Sequence, residues 1–182
     1  WSGWYNPARR EVWENRLPNG YPHMGSGFVR SGNRSMNLDR GDATFTAAIF
    51  QTVSVPEGSN VIGSAWVRMN LDLNANPNAR ARVGIHPRGG TNPFDSDVVW
   101  SGWATNAVND FVQLSASATA TGSAVTIFLY ATQQYPSNPN GVYWDDASLV
   151  VGGEGGSVPG AEPGNGEGSA PANTPVPPPP PV

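Results

Sequence analysis

Cysteine is absent from the 182 residues, so no disulfide can staple the fold and no thiolate can hold a metal or act as a nucleophile. Lysine is absent too: all 10 cations are arginine, whose flat, forked donors suit carboxylates and polyols. A net charge of −4 without a basic run argues against a nucleic-acid partner. No apolar run approaches the roughly 20 residues needed to span a bilayer. The two histidines, His23 and His86, lie in separate segments and form no metal-binding pair, and no serine elbow, P-loop or dinucleotide glycine signature is present. Asp145 and Asp146 are adjacent, so on a strand they point to opposite faces and cannot share acid/base work. We therefore expect no enzyme. The chain starts at Trp1, which suggests a processed or truncated form.

What the chain does contain is alternation of period two. Residues 1–27 are an exception, rich in aromatics and turn formers, and are expected to be irregular with at most a short strand or one helical turn near Arg9–Asn15. Thr44–Val55 reads as a strand with Phe45, Ala47, Ile49, Val53 and Val55 on one side. Val61–Leu73 is the clearest strand, with Val61, Gly63, Ala65, Val67, Met69, Leu71 and Leu73 facing inward. Arg80–His86 returns with Ala81, Val83 and Ile85 inward. Short strands are expected near Val98–Trp100 and Phe111–Ala118, then Ala124–Thr132 with Val125, Ile127, Leu129 and Ala131 on one face. A loop over Gln133–Asn140 leads to the last strand. Many short strands of this kind predict an all-β antiparallel sandwich over residues 1–151. Residues 152–182 are built of Gly, Pro, Ser, Glu and Ala and end in a proline run, a composition expected of an extended linker or tail.

The last strand, Gly141–Val151, puts Tyr143, Asp145, Ala147, Leu149 and Val151 on the inner face by a single parity, and Trp144 and Asp146 on the outer one. A carboxylate on a core face needs compensation. Two readings are open for Asp145: a structural calcium ion, which takes six to eight oxygen ligands, or a carboxylate capping backbone N–H groups or pairing with Arg. The outward set is Trp66, Arg68, Arg82, Phe128, Tyr130, Trp144 and Asp146, with Trp100 and Trp103 as a second platform. Aromatic rings stack on the C–H faces of sugars while Arg and Asp take the hydroxyls, so the set fits a glycan. The competing reading of each outward aromatic is cover by loops or by the N-terminal segment.

Three stretches in order, Phe50–Gly58 (FQTVSVPEG), Gly63–Val67 (GSAWV) and Tyr143–Leu149 (YWDDASL), resemble the galactose-binding-like jelly rolls of carbohydrate-binding modules. The resemblance implies a jelly-roll sandwich, an extracellular or cell-surface setting, sugar binding and a structural calcium, with Asp145 matching the metal-linked aspartate. The acid that usually opens such modules has no clear match; Glu11 and Glu14 are the candidates to replace it. Two functions are thus expected: a glycan-binding module, or a structural subunit of a surface layer or filament that self-assembles through its proline-rich tail.

Overall fold

The computed structural model describes residues 1–75 and 78–152. The tail after Gly152, and with it the expectation of a linker or docking tail, lies outside the described residues. Within them the chain forms two antiparallel sheets packed face to face. The strands are β1 (Ser2–Tyr5), β2 (Asn19–His23), β3 (Ser35–Asp39), β4 (Ala43–Ser54), β5 (Asn60–Leu71), β6 (Ala79–His86), β7 (Val99–Trp100), β8 (Ala104–Thr105), β9 (Val112–Thr119), β10 (Ala124–Ser137) and β11 (Asn140–Gly152). One sheet, here sheet A, runs β1-β4-β10-β6-β7 with β8 also paired to β6; sheet B runs β2-β3-β11-β5-β9.

The core is what the alternation demands. Val61, Ala65, Val67 and Met69 of β5 meet Ala81, Val83 and Ile85 of β6 and Val125, Ile127, Leu129 and Ala131 of β10, with Phe45 and Ala47 of β4 closing the layer. Each large apolar side chain sealed here contributes about 1.5–3 kcal/mol. Gly63 also faces this layer: a Cβ there would come 2.9 Å from Ile127 Cδ1, so the sheets approach closely at that point.

Three expectations need correction. The N-terminal segment is not irregular throughout, because β1 pairs with β4 and β2 with β3. Both are edge strands, so they bury little and show little alternation, and an edge tolerates Pro22. The expected loop 133–140 is mostly strand: β10 runs on to Ser137 and turns tightly into β11 at Asn140, with a cis Asn138–Pro139 bond. Finally, the parity of β11 is not constant. Asp145 pairs with Trp66 but Ser148 pairs with Ser64, so one extra residue bulges out of β11. Before the bulge Val142 and Trp144 point inward; after it Leu149 packs against the core.

Candidate functional site

The bulge decides where the expected site residues go. Trp144, expected on the outer face, pairs with inward Val67 and is 2% exposed in the core. It is a packing residue. Tyr143 and Asp145, expected inward, lie on the outer face of sheet B opposite Arg68 and Trp66. Asp146 takes a left-handed backbone conformation at the bulge (φ 45°), a region Asp tolerates better than most residues.

On this outer face of sheet B the segment before β3 lies across the strands. Phe28 stacks on Tyr143 with ring centroids 4.4 Å apart. The Arg30 guanidinium sits 3.8 Å over the Trp66 ring and pairs with Asp146, while Ser31 Oγ also donates to that carboxylate. These two donors hold the Asp146 carboxyl below the usual aspartate range despite some desolvation. Arg68 lies over the Phe28 ring and donates from Nη1 to the Gly27 carbonyl. So Trp66, Arg68 and Asp146, all named as outward binding candidates, are brought together, but their stacking and hydrogen-bonding capacity is largely used by the chain itself.

The same is true of Asp145. One oxygen accepts the Arg30 N–H at 2.7 Å and the other accepts the Asp146 N–H at 2.8 Å. Of the two readings open for this residue, backbone capping is the one the geometry uses. Glu14 accepts the Arg10 N–H instead of reaching toward Asp145. Among the described residues no group of three His, Cys, Asp or Glu side chains is placed together.

The outer face of sheet A is different. Strand register builds two adjacent rows across it: Trp4, Ala48, Tyr130 and Arg82 in one, and Phe50, Phe128, Gly84 and Trp100 in the next. Phe128 and Tyr130, two of the outward candidates, are covered here rather than free. They form the floor of a second apolar cluster with Ala48 and Val98, against which Trp4, Phe50 and Trp100 pack. The loop between β6 and β7 rises over one side, where Phe94 meets Trp4 edge to face at 4.9 Å. His86 anchors that loop, accepting the Arg88 N–H at Nδ1 and facing Asp95 at 3.3 Å through Nε2.

Above the floor, Arg82 lies 3.8 Å from the centroid of Trp100, 4.2 Å from Trp103 and 5.1 Å from Tyr130. Arg82, Tyr130 and Trp100 come from β6, β10 and β7 and Trp103 from the loop after β7, and they converge on one spot. Burial lowers the Arg82 guanidinium below its ordinary value and raises the Tyr130 phenol above its own. Trp103 stays 42% exposed and Phe94 56% exposed, so the face offers open rings on a rigid aromatic floor. Phe94 and Trp4 were not singled out in the sequence; no alternation marks a loop residue or an edge strand.

No family model matches the chain, and no curated protein matches it. Among solved structures it is similar to TmCBM61 in complex with β-1,4-galactotriose, at 12% identity and a TM-score of 0.53 over 78% of this chain and 92% of that one. The chain has the β-sandwich fold of the carbohydrate-binding modules. Other structures similar to this chain are the CBM22-2 xylan-binding domain from Paenibacillus barcinonensis Xyn10C (12% identity, TM-score 0.48, 82% of this chain and 91% of that one) and a family 16 carbohydrate-binding module (18% identity, TM-score 0.43, 74% and 85%).

Proposed function

We propose that this module is a non-catalytic glycan-binding domain whose ligand lies on the outer face of sheet A, across Trp103 and Trp100 beside Arg82. One observation carries the reading: Trp103 stays 42% exposed while its ring meets Tyr130 of the buried aromatic floor with centroids 6.0 Å apart. A solvated ring held in place by packed neighbours loses little freedom when a sugar stacks on it, and its C–H contacts add to the area buried. Arg82 supplies donors for hydroxyl oxygens at the same spot. The fold is consistent with this use, although a fold by itself does not set function. A polysaccharide ligand also goes with an extracellular or cell-surface setting, which is part of the proposal.

Affinity electrophoresis and calorimetry against a panel beginning with β-1,4-galactan and xylan test it. Binding is expected to weaken about 30-fold or more in Trp103→Ala, the loss typical of a central aromatic anchor. Absence of binding to every polysaccharide, or full binding by the Trp103 and Trp100 alanine variants, would overturn it.

A further inference from the structure

Three arginines of this chain lie over aromatic rings: Arg30 over Trp66, Arg68 over Phe28, and Arg82 over Trp100, Trp103 and Tyr130. Two of them use donors within the chain, although the Arg68 Nε, like that of Arg82, is buried without a partner. Arg30 pairs with Asp146, and Arg68 donates to the Gly27 carbonyl. Arg82 does neither: among the described residues it has no ion pair and no hydrogen-bond acceptor, and its Nε is buried without a partner. The two acids of the β6–β7 loop have other neighbours: Asp95 faces His86 Nε2 and Asp97 pairs with Arg88.

A guanidinium donates only in its own plane, through five N–H groups in a fixed fork. With rings against the group, its stacking surface is used and its hydrogen-bonding edge is not. A partly desolvated cation in that condition gains most from a planar anion that accepts two parallel N–H bonds, and a carboxylate has that shape. Arg80, two residues away on the same strand and the same face, is exposed and adds a second positive charge. Its Nε is tied to Asn78 Oδ1 at 3.1 Å.

Resting on the glycan reading above, we infer that the sheet A site prefers glycans carrying a sugar carboxylate, that is, uronic acid residues, with Arg82 as the residue that selects them. The net charge of −4 makes the selection local. A dense polyanion is repelled by the molecule as a whole, whereas a mostly neutral chain with single uronate units is not.

The experiment is a glycan array of neutral, uronate-bearing and sulfated oligosaccharides. It is followed by calorimetry with one glucuronate-branched xylo-oligosaccharide and with the same compound after reduction of its carboxyl to an alcohol. Reduction is expected to weaken binding by roughly tenfold to a hundredfold, the loss of a charge-assisted bond. Arg82→Gln should bind both forms equally, and Arg82→Lys should keep part of the preference because it keeps the charge without the fork. Near-ultraviolet circular dichroism checks the fold of each variant, and the carboxyl-reduction comparison on the unaltered protein stands even if Arg82→Gln unfolds. Equal binding of the acid and its reduced form overturns the carboxylate preference while leaving glycan binding intact, as does a preference that survives in folded Arg82→Gln. Selective binding of sulfated glycans overturns the assignment to a carboxylate. No binding anywhere on the array removes the glycan reading itself, and this inference with it.

Discussion

Gly84 and Trp100 pair across β6 and β7 so closely that the indole ring occupies the space of a side chain at position 84. A Cβ there would lie 2.5 Å from Trp100 Cε3 and Cζ3, closer than carbon atoms can pack. The only glycine in its row thus seats the ring that lies 3.8 Å from the Arg82 guanidinium. Gly84→Ala is expected to tip Trp100 off the sheet and release Arg82 from one of its rings. Glycan binding should fall at least about tenfold, a modest share of an anchor's value. Because the outer face of sheet A can give way to solvent, the stability cost should stay near the lower end of about 1–3 kcal/mol for overpacking. Calorimetric binding and urea unfolding of the same variant separate the two effects.

Trp144 and Trp103 make a second contrast, since the first is sealed in the core and the second is 42% exposed. Trp144→Ala should cost about 3–5 kcal/mol of stability by cavity formation. Trp103→Ala should change stability by no more than about 0.5 kcal/mol, as surface substitutions do, yet remove most of the binding. Urea denaturation with paired binding isotherms tests both. Loss of binding without loss of stability in Trp144→Ala would contradict the inward placement of that ring.

The core was readable because β5 alternates along its length and β6 and β10 keep one register up to Gln133, so one parity assigns each of these residues to a face. The same rule failed in β11, where one added residue near Asp146 reverses every later side chain. Bulges of this kind have no fixed sequence mark, although two consecutive acids ahead of Ala147 sit poorly in any regular ladder. The convergence of Arg82, Tyr130, Trp100 and Trp103 was legible as a set of residue types but not as a place. It depends on β6 and β10 being hydrogen-bonded neighbours and on β7 returning to β6, and strand order leaves no trace in periodicity. The cover over Trp66 was invisible for a related reason: Arg30 reaches it from a loop more than a hundred residues away from its partner Asp146.

Tyr130 provides an alkaline test of the sheet A floor. Burial raises its phenol above the ordinary value of 10.0, with Arg82 pulling more weakly in the opposite direction. In the unfolded chain the phenol ionises at its ordinary value, so the stabilising effect of the neutral buried phenol is complete below about pH 10. It is lost as pH rises toward the folded value. Absorbance titration near 295 nm should show late-ionising tyrosines that become normal in urea, Tyr130 among them with Tyr21, held by its hydrogen bond to Asp39, and buried Tyr143. Tyr130→Phe should reduce the late phase by the amplitude of one tyrosine and leave the aromatic floor packed.

Asp146 gives the opposite sign at the acid end, and its variant separates charge from backbone. Ser31 and Arg30 hold this carboxyl below its ordinary value of 3.8, so the folded state binds a proton there less readily than the unfolded chain does. The stabilisation is therefore present above about pH 4 and is lost as pH falls through the folded value. Asn is the informative replacement because it tolerates the left-handed conformation at this position about as well as Asp, while removing the charge that Arg30 needs. Asp146→Asn should cost about 0.5 kcal/mol at neutral pH, in the range for a solvent-accessible ion pair. Its stability should also fall less steeply than that of the unaltered protein between pH 5 and the acid transition. With the pair gone, Arg30 is freed from one of its two anchors, so Trp66 fluorescence should become more quenchable by acrylamide while Trp144 stays protected. If the acid limb of the stability curve is unchanged in Asp146→Asn, the strap across sheet B is held by Phe28 on Tyr143 and the Asp145 cap, and not by the Arg30 pair.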